Sequence, residues 1–291
     1  MKLLSEERAG HAPPASLQQR RQMMAAARLN GVWNTQPPPI EAMLDGVRVL
    51  RFEPPGVRRA TVLHLHGGAF RQGCPEMVGA FAVALAARCG VEVVCPAYRL
   101  APEHPYPSGL RDALTALRAL ATATLAKQTL PLIVSGDSAG GGLAASLTRL
   151  AMDEGMPVTA LVLLSAWLDL TVSSSSFDDN AASDPLFSRA AAEEAVLLYL
   201  QGLSAREPEV SPLLGTVRGF PPTFVSVGTG DVLADDGRRF HRALRDAGVR
   251  AQLYAVDGME HVAVTRNLEL PGARETFEAL AGFITAVLAG G

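Results

Sequence analysis

The 291-residue sequence has little of several features that would assign it to other protein classes. Aromatic residues make up 5% of the chain and charged residues 19%, and the formal net charge is −3. No long basic stretch is present, so a nucleic-acid partner is not expected. No run approaches the roughly 20 apolar residues of a membrane-spanning helix, so a membrane partner is not expected either.

Cysteines and targeting signals are also scarce. Cys74, Cys89 and Cys95 are an odd number of cysteines without metal-ligand spacing, which favours reduced thiols. Residues 1–8 become charged almost at once and do not contain the apolar middle of a signal peptide. We therefore expect a cytoplasmic protein.

The sequence does contain an alternation of apolar runs and helical patterns. Apolar residues make up 48% of the chain, enough for a large buried core. Residues 132–134 and 161–164 are apolar throughout, as is typical of central strands covered on both faces. The alternation predicts an α/β fold with a mostly parallel sheet flanked by helices. Functional sites in such sheets form at the carboxyl ends of the strands.

Two segments interrupt the alternation. Residues 1–39 are polar and alanine-rich, and residues 169–212 are rich in serine and aspartate. We predict that residues 40–168 and 213–291 form the core. The two interrupting segments are predicted to form a small helical cap over the site.

The most informative motif is the stretch Gly136-Asp137-Ser138-Ala139-Gly140, which lies between an apolar run and a helix-forming run. In that context Gly-x-Ser-x-Gly predicts a tight strand-to-helix turn that exposes the serine hydroxyl above the sheet. Glycines flank the turn because side chains would clash there. Ser138 is therefore the candidate nucleophile, and the backbone amide of Ala139 is a candidate donor to a developing oxyanion.

The histidines provide one candidate base for this serine. Only His241 and His261 follow Ser138 in the chain. His241 falls within a helical pattern, whereas His261 follows a predicted strand in a loop, where a catalytic base is expected. His64 and His66 share one strand face, but no third metal ligand is evident, so neither a metal nor another cofactor is expected.

The base in turn needs an orienting carboxylate. Asp231 is the first acid to emerge after a predicted strand that ends near residue 227, and it is the favoured candidate. Asp235 and Asp236 are predicted to cap the following helix and to occupy its first turn. Asp257 is close to His261 in sequence, but with Gly258 it is also typical of a turn.

A second source of oxyanion donors follows an earlier apolar strand. His66-Gly67-Gly68-Ala69-Phe70 begins where that strand ends, and its two glycines allow the backbone to approach a substrate oxygen closely. Loss of one such donor typically lowers turnover by about 10²–10³-fold.

Taken together, these motifs resemble those of the hormone-sensitive-lipase group, or bacterial family IV, of α/β-hydrolase esterases. The matching motifs occur in order along most of the chain: HGGAF at 66–70, YRLAPEHPYP at 98–107, GDSAGGG at 136–142, GTGDVLADD at 228–236 and GMEH at 258–261.

The resemblance implies Ser138 as nucleophile, His261 as base and Asp231 as its orienting acid. It also implies an oxyanion hole formed by the backbone at four positions, namely Gly67, Gly68, Ala69 and Ala139. A helical cap built from the N-terminal segment and the insertion after Leu168 is implied as well.

Four positions depart from the usual pattern of this family. Ala69 replaces the third glycine of the HGGG motif, Gly142 a frequent asparagine, Val232 a frequent proline and Asp236 a frequent glutamate. None of these changes removes a reactive group, so they bear on the range of substrates and not on the chemistry.

The expected function is hydrolysis of short-chain acyl esters through an acyl-enzyme on Ser138. Five residues are candidates for lining the acyl pocket: Phe70, Trp167, Leu168, Leu186 and Phe187. The same triad would serve an amidase, a formamidase or a lactone hydrolase, and these alternatives stay open.

A different class of function, a small-ligand receptor on the same scaffold, is disfavoured because the serine, acid and histidine are all present. The expected partner is a small ester. A homodimer could form through the edge strand near residues 251–256 and the final helix.

Overall fold

The structure is a computed structural model that describes residues 16–127 and 130–290. Its centre is an eight-stranded sheet with the order β1-β2-β4-β3-β5-β6-β7-β8. β1 and β2 are antiparallel, as are β2 and β4, and the remaining neighbours are parallel. The strands are Ile40–Leu44 (β1), Val47–Phe52 (β2), Ala60–Leu65 (β3), Val91–Pro96 (β4), Leu132–Asp137 (β5), Ala160–Leu164 (β6), Thr223–Gly228 (β7) and Ala251–Val256 (β8).

Helices surround this sheet and connect its strands. They are Leu17–Leu29 (α1), Gly79–Cys89 (α2), Ser108–Lys127 (α3), Ala139–Asp153 (α4), Ser176–Asp179 (α5), Arg189–Leu200 (α6), Ala234–Asp246 (α7), Ala263–Arg266 (α8) and Ala273–Leu288 (α9). Short 3₁₀ helices lie at Pro75–Val78 and Pro212–Leu214. The predicted α/β fold with a mostly parallel sheet is confirmed.

The apolar central strands divide their side chains between two cores. Leu161 and Leu163 of β6 pack with α3, α4 and α7, whereas Val162 and Leu164 pack with α2 and α9. Successive strand residues point to opposite faces of a sheet, so a strand covered on both faces must be apolar throughout. This burial fixes the strands whose carboxyl ends carry the candidate site.

Some elements were not predicted from the sequence. β1 has no buried residue, so packing imposes no apolar run on its sequence, and the four-residue helices α5 and α8 are too short to show a helical period. The expected capping role is wrong, because the N-cap of α7 is Leu233. The expected first-turn position is confirmed, since both Asp235 and Asp236 lie in the first turn of α7.

Polar contacts attach the segment that precedes β1. Helix α1 has no fully buried side chain. Arg21 of α1 instead donates to the carbonyl oxygens of Arg71 and Ala101 and pairs with Glu103 at 2.7 Å. Residues 1–15, where the sequence predicts no signal peptide, lie outside the described residues.

The insertion between β6 and β7 is attached by a second set of polar contacts. Ser176 donates from Oγ to the carbonyl oxygen of Val232 at 2.7 Å, and Ser174 donates to the carboxylate of Asp236.

Across the described part of the chain, we find no helix with the length and apolar character needed to cross a bilayer.

Candidate active site

The turn between β5 and α4 holds Ser138 in an unusual backbone conformation, with φ of 51° and ψ of −123°. The flanking positions require glycine because there is no room for a side chain. A Cβ at Gly136 would lie 2.1 Å from the carbonyl oxygen of Gly140, and one at Gly140 would lie 2.0 Å from that of Leu65. The close contact between strand and helix therefore lifts Ser138 above the end of the sheet.

A continuous chain of hydrogen bonds joins Ser138, His261 and Asp231. Nε2 of His261 lies 3.0 Å from Oγ of Ser138, and Nδ1 lies 3.1 Å from each carboxylate oxygen of Asp231. The three side chains are buried, with residue exposures of 6%, 5% and 0% for Ser138, His261 and Asp231. We name these three residues the outer set.

The loops that carry the acid and the histidine are fixed by further hydrogen bonds. Asp231 follows β7, and its Oδ1 also accepts from the amide of Leu233 at 2.8 Å. His261 follows β8, and the amide of the next residue, Val262, donates to Oγ of Ser165 at 3.2 Å. Each group thus projects from the carboxyl end of a different strand, as expected for a site in a parallel sheet.

The surroundings of His261 favour its protonated form. Burial alone lowers the pKa of this imidazole, but the carboxylate of Asp231 outweighs that effect by charge and by hydrogen bonding. Asp184 and Asp137 add to the rise, and the pKa reaches about 9. The site therefore stabilises the imidazolium that forms when the histidine accepts a proton.

The glycine-rich loop after β3 lies against the serine. A Cβ at Gly67 would lie 3.1 Å from Cβ of Ser138. Its amide already donates to Oδ1 of Asp137 at 3.1 Å, so Gly67 has no free donor for a substrate. Within residues 16–127 and 130–290, the amides of Gly68, Ala69 and Ala139 make no hydrogen bond. Three of the four expected oxyanion donors are therefore available.

The backbone of this loop is held in a conformation that few residues adopt. Ala69 and Phe70 have φ values of 52° and 60°, although neither is glycine. The φ of Gly68 is 123°, and a Cβ there would lie 2.0 Å from the carbonyl oxygen of Gln72. Strain of this kind persists only where the surroundings determine the conformation.

The rings of Tyr98 and His66 stabilise the start of this loop. Oη of Tyr98 donates to the carbonyl oxygen of His66 at 2.6 Å, and the two rings stack with centroids 4.3 Å apart. Burial lowers the pKa of His66, whose Nδ1 lies 2.7 Å from the carbonyl oxygen of Gly67. A neutral imidazole here braces the loop without adding charge.

Aromatic rings connect the loop to helix α6 and to the imidazole. Phe70 stacks on Tyr199 of α6 with ring centroids 4.1 Å apart, and its centroid lies 5.6 Å from that of Trp167. Trp167 packs edge-to-face against Phe187 with ring centroids 5.2 Å apart, and Phe187 stacks on the imidazole of His261 with centroids 5.8 Å apart. We name Tyr199, Phe70, Trp167 and Phe187 the aromatic wall. Tyr199 was not among the predicted pocket residues, because a single tyrosine in an alanine-rich helix gives no signal.

The two predicted leucines of the pocket differ in their burial. Leu168 is fully buried, and its amide donates to Asp236 at 2.8 Å, whereas Leu186 is half-buried. Asp236 is itself fully buried, and burial raises its pKa to about 7. The structure therefore places Leu168 in the packed interior, with its backbone amide bonded to Asp236.

A second group of the same three residue types lies inside the sheet. Nδ1 of His64 is 2.9 Å from Oγ of Ser135, and Nε2 is 3.1 Å from Oδ1 of Asp137. All three are buried, with exposures of 1%, 0% and 4% for Ser135, His64 and Asp137. We name them the inner set. Sequence reasoning identified His64 as a core residue but not its partners, because the pairing of β3 with β5 cannot be read from the sequence.

Asp184 of the insertion lies near the site, although the sequence did not identify it as a candidate site residue. One oxygen of its carboxylate lies within 4.8 Å of ligand atoms of both Asp231 and His261. Such a cluster could in principle hold a metal ion, but both nitrogens of His261 already contact Ser138 and Asp231. This arrangement fits proton transfer better than metal ligation.

The alternative base and acid lie in other surroundings. His241 is within α7, and burial lowers its pKa. Asp257 accepts from Oγ1 of Thr229 at 2.8 Å, next to the turn formed by Gly258. The structure thus brings His261 and Asp231, and not these residues, to the candidate nucleophile.

A serine at a strand-to-helix turn, linked through an imidazole to a carboxylate at the rim of a parallel sheet, is the arrangement of α/β-hydrolase enzymes. Comparison with known proteins gives the same class. The profile of a family described as having an alpha/beta hydrolase fold matches residues 62–265.

Curated relatives narrow this class. An esterase of Acinetobacter venetianus is 34% identical over 246 residues, which cover 84% of this chain and 80% of that protein. Carboxylesterase NlhH of Mycobacterium tuberculosis is 34% identical over 244 residues, which cover 80% and 76% of the two chains.

Solved structures agree with these relatives. An esterase from the bacterial hormone-sensitive lipase family has a TM-score of 0.88 at 29% identity, covering 99% of this chain and 96% of that one. A crystal of EstE5 soaked with p-nitrophenyl butyrate has a TM-score of 0.88 at 27% identity, covering 99% and 97%. The chain belongs to the α/β-hydrolase-fold family, as a carboxylesterase of its hormone-sensitive-lipase branch.

Proposed function

We propose that the outer set is the catalytic triad and that hydrolysis proceeds through an acyl-enzyme on Ser138. The observation that supports this most directly is the continuous hydrogen bonding from Oγ of Ser138 through His261 to Asp231, at 3.0 and 3.1 Å. These separations lie within the range in which a base takes a proton from a nucleophile.

In the first half of the reaction, Oγ of Ser138 attacks the ester carbonyl carbon and Nε2 of His261 takes the hydroxyl proton. Asp231 stabilises the resulting imidazolium through Nδ1. The carbonyl oxygen becomes negative and accepts hydrogen bonds from the amides of Gly68, Ala69 and Ala139. His261 then gives its proton to the departing alcohol, which leaves the acyl group on the serine.

In the second half, water takes the place of the alcohol. His261 removes a proton from the water as its oxygen attacks the acyl carbon. The same amides hold the second oxyanion, and the imidazolium returns the proton to Oγ of Ser138. The products are the carboxylic acid and the regenerated serine.

Covalent labelling tests the nucleophile. A fluorophosphonate probe is expected to attach to the peptide that contains Ser138, and Ser138→Ala is expected to abolish labelling at unchanged melting temperature. Activity that persists after dialysis against EDTA supports a reaction that needs only these side chains. Labelling of another serine, with retained hydrolysis in the Ser138→Ala enzyme, would overturn the assignment.

We further propose that the substrates are esters of short acyl chains, about two to six carbons. Two bulky rings lie beside the base, because Phe187 stacks on the imidazole of His261 and Trp167 packs against Phe187. We infer a small acyl site from these rings, since each buried methylene contributes roughly 0.8 kcal/mol only where room exists for it. The soaking of the related EstE5 crystal with p-nitrophenyl butyrate is consistent with a short chain. We expect kcat/KM for p-nitrophenyl butyrate to exceed that for the dodecanoate at least tenfold, and the reverse order would refute the proposal.

The division into core and cap is also a proposal. Residues 16–39 and 169–212 carry the polar attachments described above, and α6 contributes Tyr199 to the aromatic wall. Residues 40–168 and 213–291 contain every strand of the sheet. Limited proteolysis is expected to cut first within residues 169–212, and initial cleavage inside the sheet strands would contradict this division.

A homodimer is proposed through the open edge of the sheet. β8 is the last strand in the order, and most of its residues are partly or fully exposed. The groove between it and α9 is lined by Gln252 and Phe283 among others. Light scattering is expected to give twice the 30.6 kDa of one chain.

We also propose a reducing, cytoplasmic location. The thiols of Cys74, Cys89 and Cys95 are free, and burial raises the pKa of the Cys89 thiol to about 11, which keeps it unreactive. Cell fractionation with a tagged chain tests this proposal.

A further inference from the structure

The segment between α5 and α6, residues 180–187, contacts the loop that carries Asp231. We name this segment the strap. Nδ2 of Asn180 donates to the carbonyl oxygens of Thr229 and Asp231, at 2.8 and 2.7 Å. Oγ of Ser183 donates to the carbonyl oxygen of Gly230 at 2.9 Å. The strap therefore holds three consecutive carbonyl groups of the acid loop.

Asp184 is the charged member of the strap and is fully buried. One of its carboxylate oxygens accepts from the amides of Leu186 and Phe187, at 2.8 and 3.0 Å. The other accepts from the amide of Val232, directly after Asp231, at 3.1 Å. A buried carboxylate is stable only where donors compensate for its lost hydration, and these three amides supply that compensation.

The same carboxylate is close to the groups that move the proton. It comes within 4.8 Å of both Asp231 and His261. Phe187, whose amide donates to Asp184, stacks its ring on the imidazole at 5.8 Å. The strap thus places a negative charge beside His261 and a flat ring against it.

Other charged groups also act on the imidazole. Asp231 contacts Nδ1, Asp137 lies at the end of β5, and Arg266 of α8 donates to the backbone carbonyl oxygen of His261 at 3.3 Å while pairing with Glu260 at 3.2 Å. Because Arg266 is paired with Glu260, the carboxylates dominate the field at the ring, and Asp184 is the one that comes from the insertion.

We propose that Asp184 is a positioning residue of the esterase, which anchors the acid loop and helps His261 hold the proton taken from Ser138. The inference rests on the proposed function of the outer set. It assigns to the insertion a part in proton transfer, in addition to covering the substrate.

The charges of Asp184 and His261 are coupled. Burial raises the pKa of Asp184, Asp231 adds to the rise, and a positive His261 opposes it. Conversely, Asp184 contributes to the raised pKa of His261. The base acts in its neutral form, so the rate rises with pH as His261 loses its proton. Removal of the Asp184 carboxylate lowers the pKa of His261 and therefore moves this rising, acidic limb of the pH–rate profile toward lower pH.

The test is Asp184→Asn with Ser183→Ala as the matched control. Ser183→Ala removes one strap contact without changing charge. We expect Asp184→Asn to lower kcat for p-nitrophenyl butyrate roughly 10- to 100-fold with KM within threefold, because the acid loop is displaced. We also expect the midpoint of the acidic limb of the kcat/KM profile to shift to lower pH by about 0.5–1 pH unit. Ser183→Ala is expected to keep kcat within about threefold and to leave the limb unchanged.

Several outcomes would overturn the inference. One is an Asp184→Asn enzyme with wild-type kcat and pH profile, and another is the same loss and unchanged limb in both variants. If the asparagine variant does not fold, Asp184→Ser carries the same test, since its hydroxyl can accept from the following amides. An inactive Ser138→Ala with a normal Asp184→Asn refutes this inference alone, whereas an active Ser138→Ala refutes the proposed function itself.

Discussion

The outer and inner sets have the same three residue types and nearly the same hydrogen-bond lengths, yet they occupy different parts of the sheet. Burial does not separate them, because all six residues are at most 6% exposed. What differs is the backbone. Ser135 lies within β5, directly opposite His64 of β3, whereas Ser138 lies beyond the strand in a turn with positive φ.

The surroundings of the two hydroxyl groups differ as a consequence. Beside Ser138, the amides of Gly68, Ala69 and Ala139 have no acceptor within the part of the chain that the structure describes. Beside Ser135, the neighbouring backbone groups are engaged in the pairing of the strands. A serine, a histidine and an aspartate at hydrogen-bonding distance are therefore not sufficient for catalysis, because the negative oxygen also needs donors that are not already bonded.

The largest effect that would test this comparison is the loss of each serine. We expect Ser138→Ala to lower kcat for p-nitrophenyl butyrate by roughly 10⁴–10⁶-fold, because the nucleophile is lost. We expect Ser135→Ala to keep kcat within about threefold and to cost about 1–3 kcal/mol of unfolding free energy, because Nδ1 of His64 loses its buried partner. Initial rates and urea unfolding measure the two effects. Equal losses of activity would show that the inner set takes part in the chemistry.

The two aspartates give the next largest contrast. Asp231→Asn is expected to lower kcat about 10⁴-fold, because an amide cannot stabilise the imidazolium and favours the wrong tautomer. Asp137→Asn is expected to cost about tenfold, through the Gly67 amide that Asp137 holds beneath the oxyanion loop. Steady-state kinetics at several pH values measure both, and a larger loss in the Asp137 variant would reverse the assignment of the acids.

The fold could be predicted from the sequence to a large extent. The apolar runs of β5 and β6 and the alternation with helices depend on local periodicity and burial, which the sequence records directly. β1 could not be predicted because none of its five residues is buried, so packing imposes no apolar run on it, whereas β6 has the same length and is buried throughout. α5 could not be predicted because four residues make little more than one helical turn. Their positions depend on the partners against which they pair.

The candidate site shows the same limit. The approach of Ser138, Asp231 and His261 was predicted because each follows a strand, and parallel strands bring their carboxyl ends to one edge. Their catalytic roles stay predictions. Asp184 and Tyr199 follow no strand, and their approach to the site depends on the path of the insertion, for which the sequence has no periodic signal.

The third contrast, smaller than the losses expected for Ser138→Ala and Asp231→Asn, concerns proton affinity in the outer set. The pKa of His261 is about 9 in the folded protein, against about 6.5 for an exposed histidine. A group whose pKa is raised on folding contributes stability that is complete below pH 6.5 and is lost as the pH rises through 9. His261→Asn removes this contribution, so the stability advantage of the wild type over the variant is expected to shrink by about 3 kcal/mol between pH 6 and pH 10.

Urea unfolding of both proteins across that range measures the change, with His241→Gln as the control. Burial lowers the pKa of His241, so this histidine destabilises the folded state at low pH and not at high pH. The stability of the wild type relative to His241→Gln is therefore expected to increase, and not shrink, between pH 6 and pH 10. A constant difference between wild type and His261→Asn would mean that the proton on His261 is held no more tightly than in the unfolded chain. In that case the carboxylates around the imidazole would orient it without stabilising its charge. The outer set would then differ from the inner set in the position of its serine, in the free amides beside it and in the ring nitrogen that faces each partner.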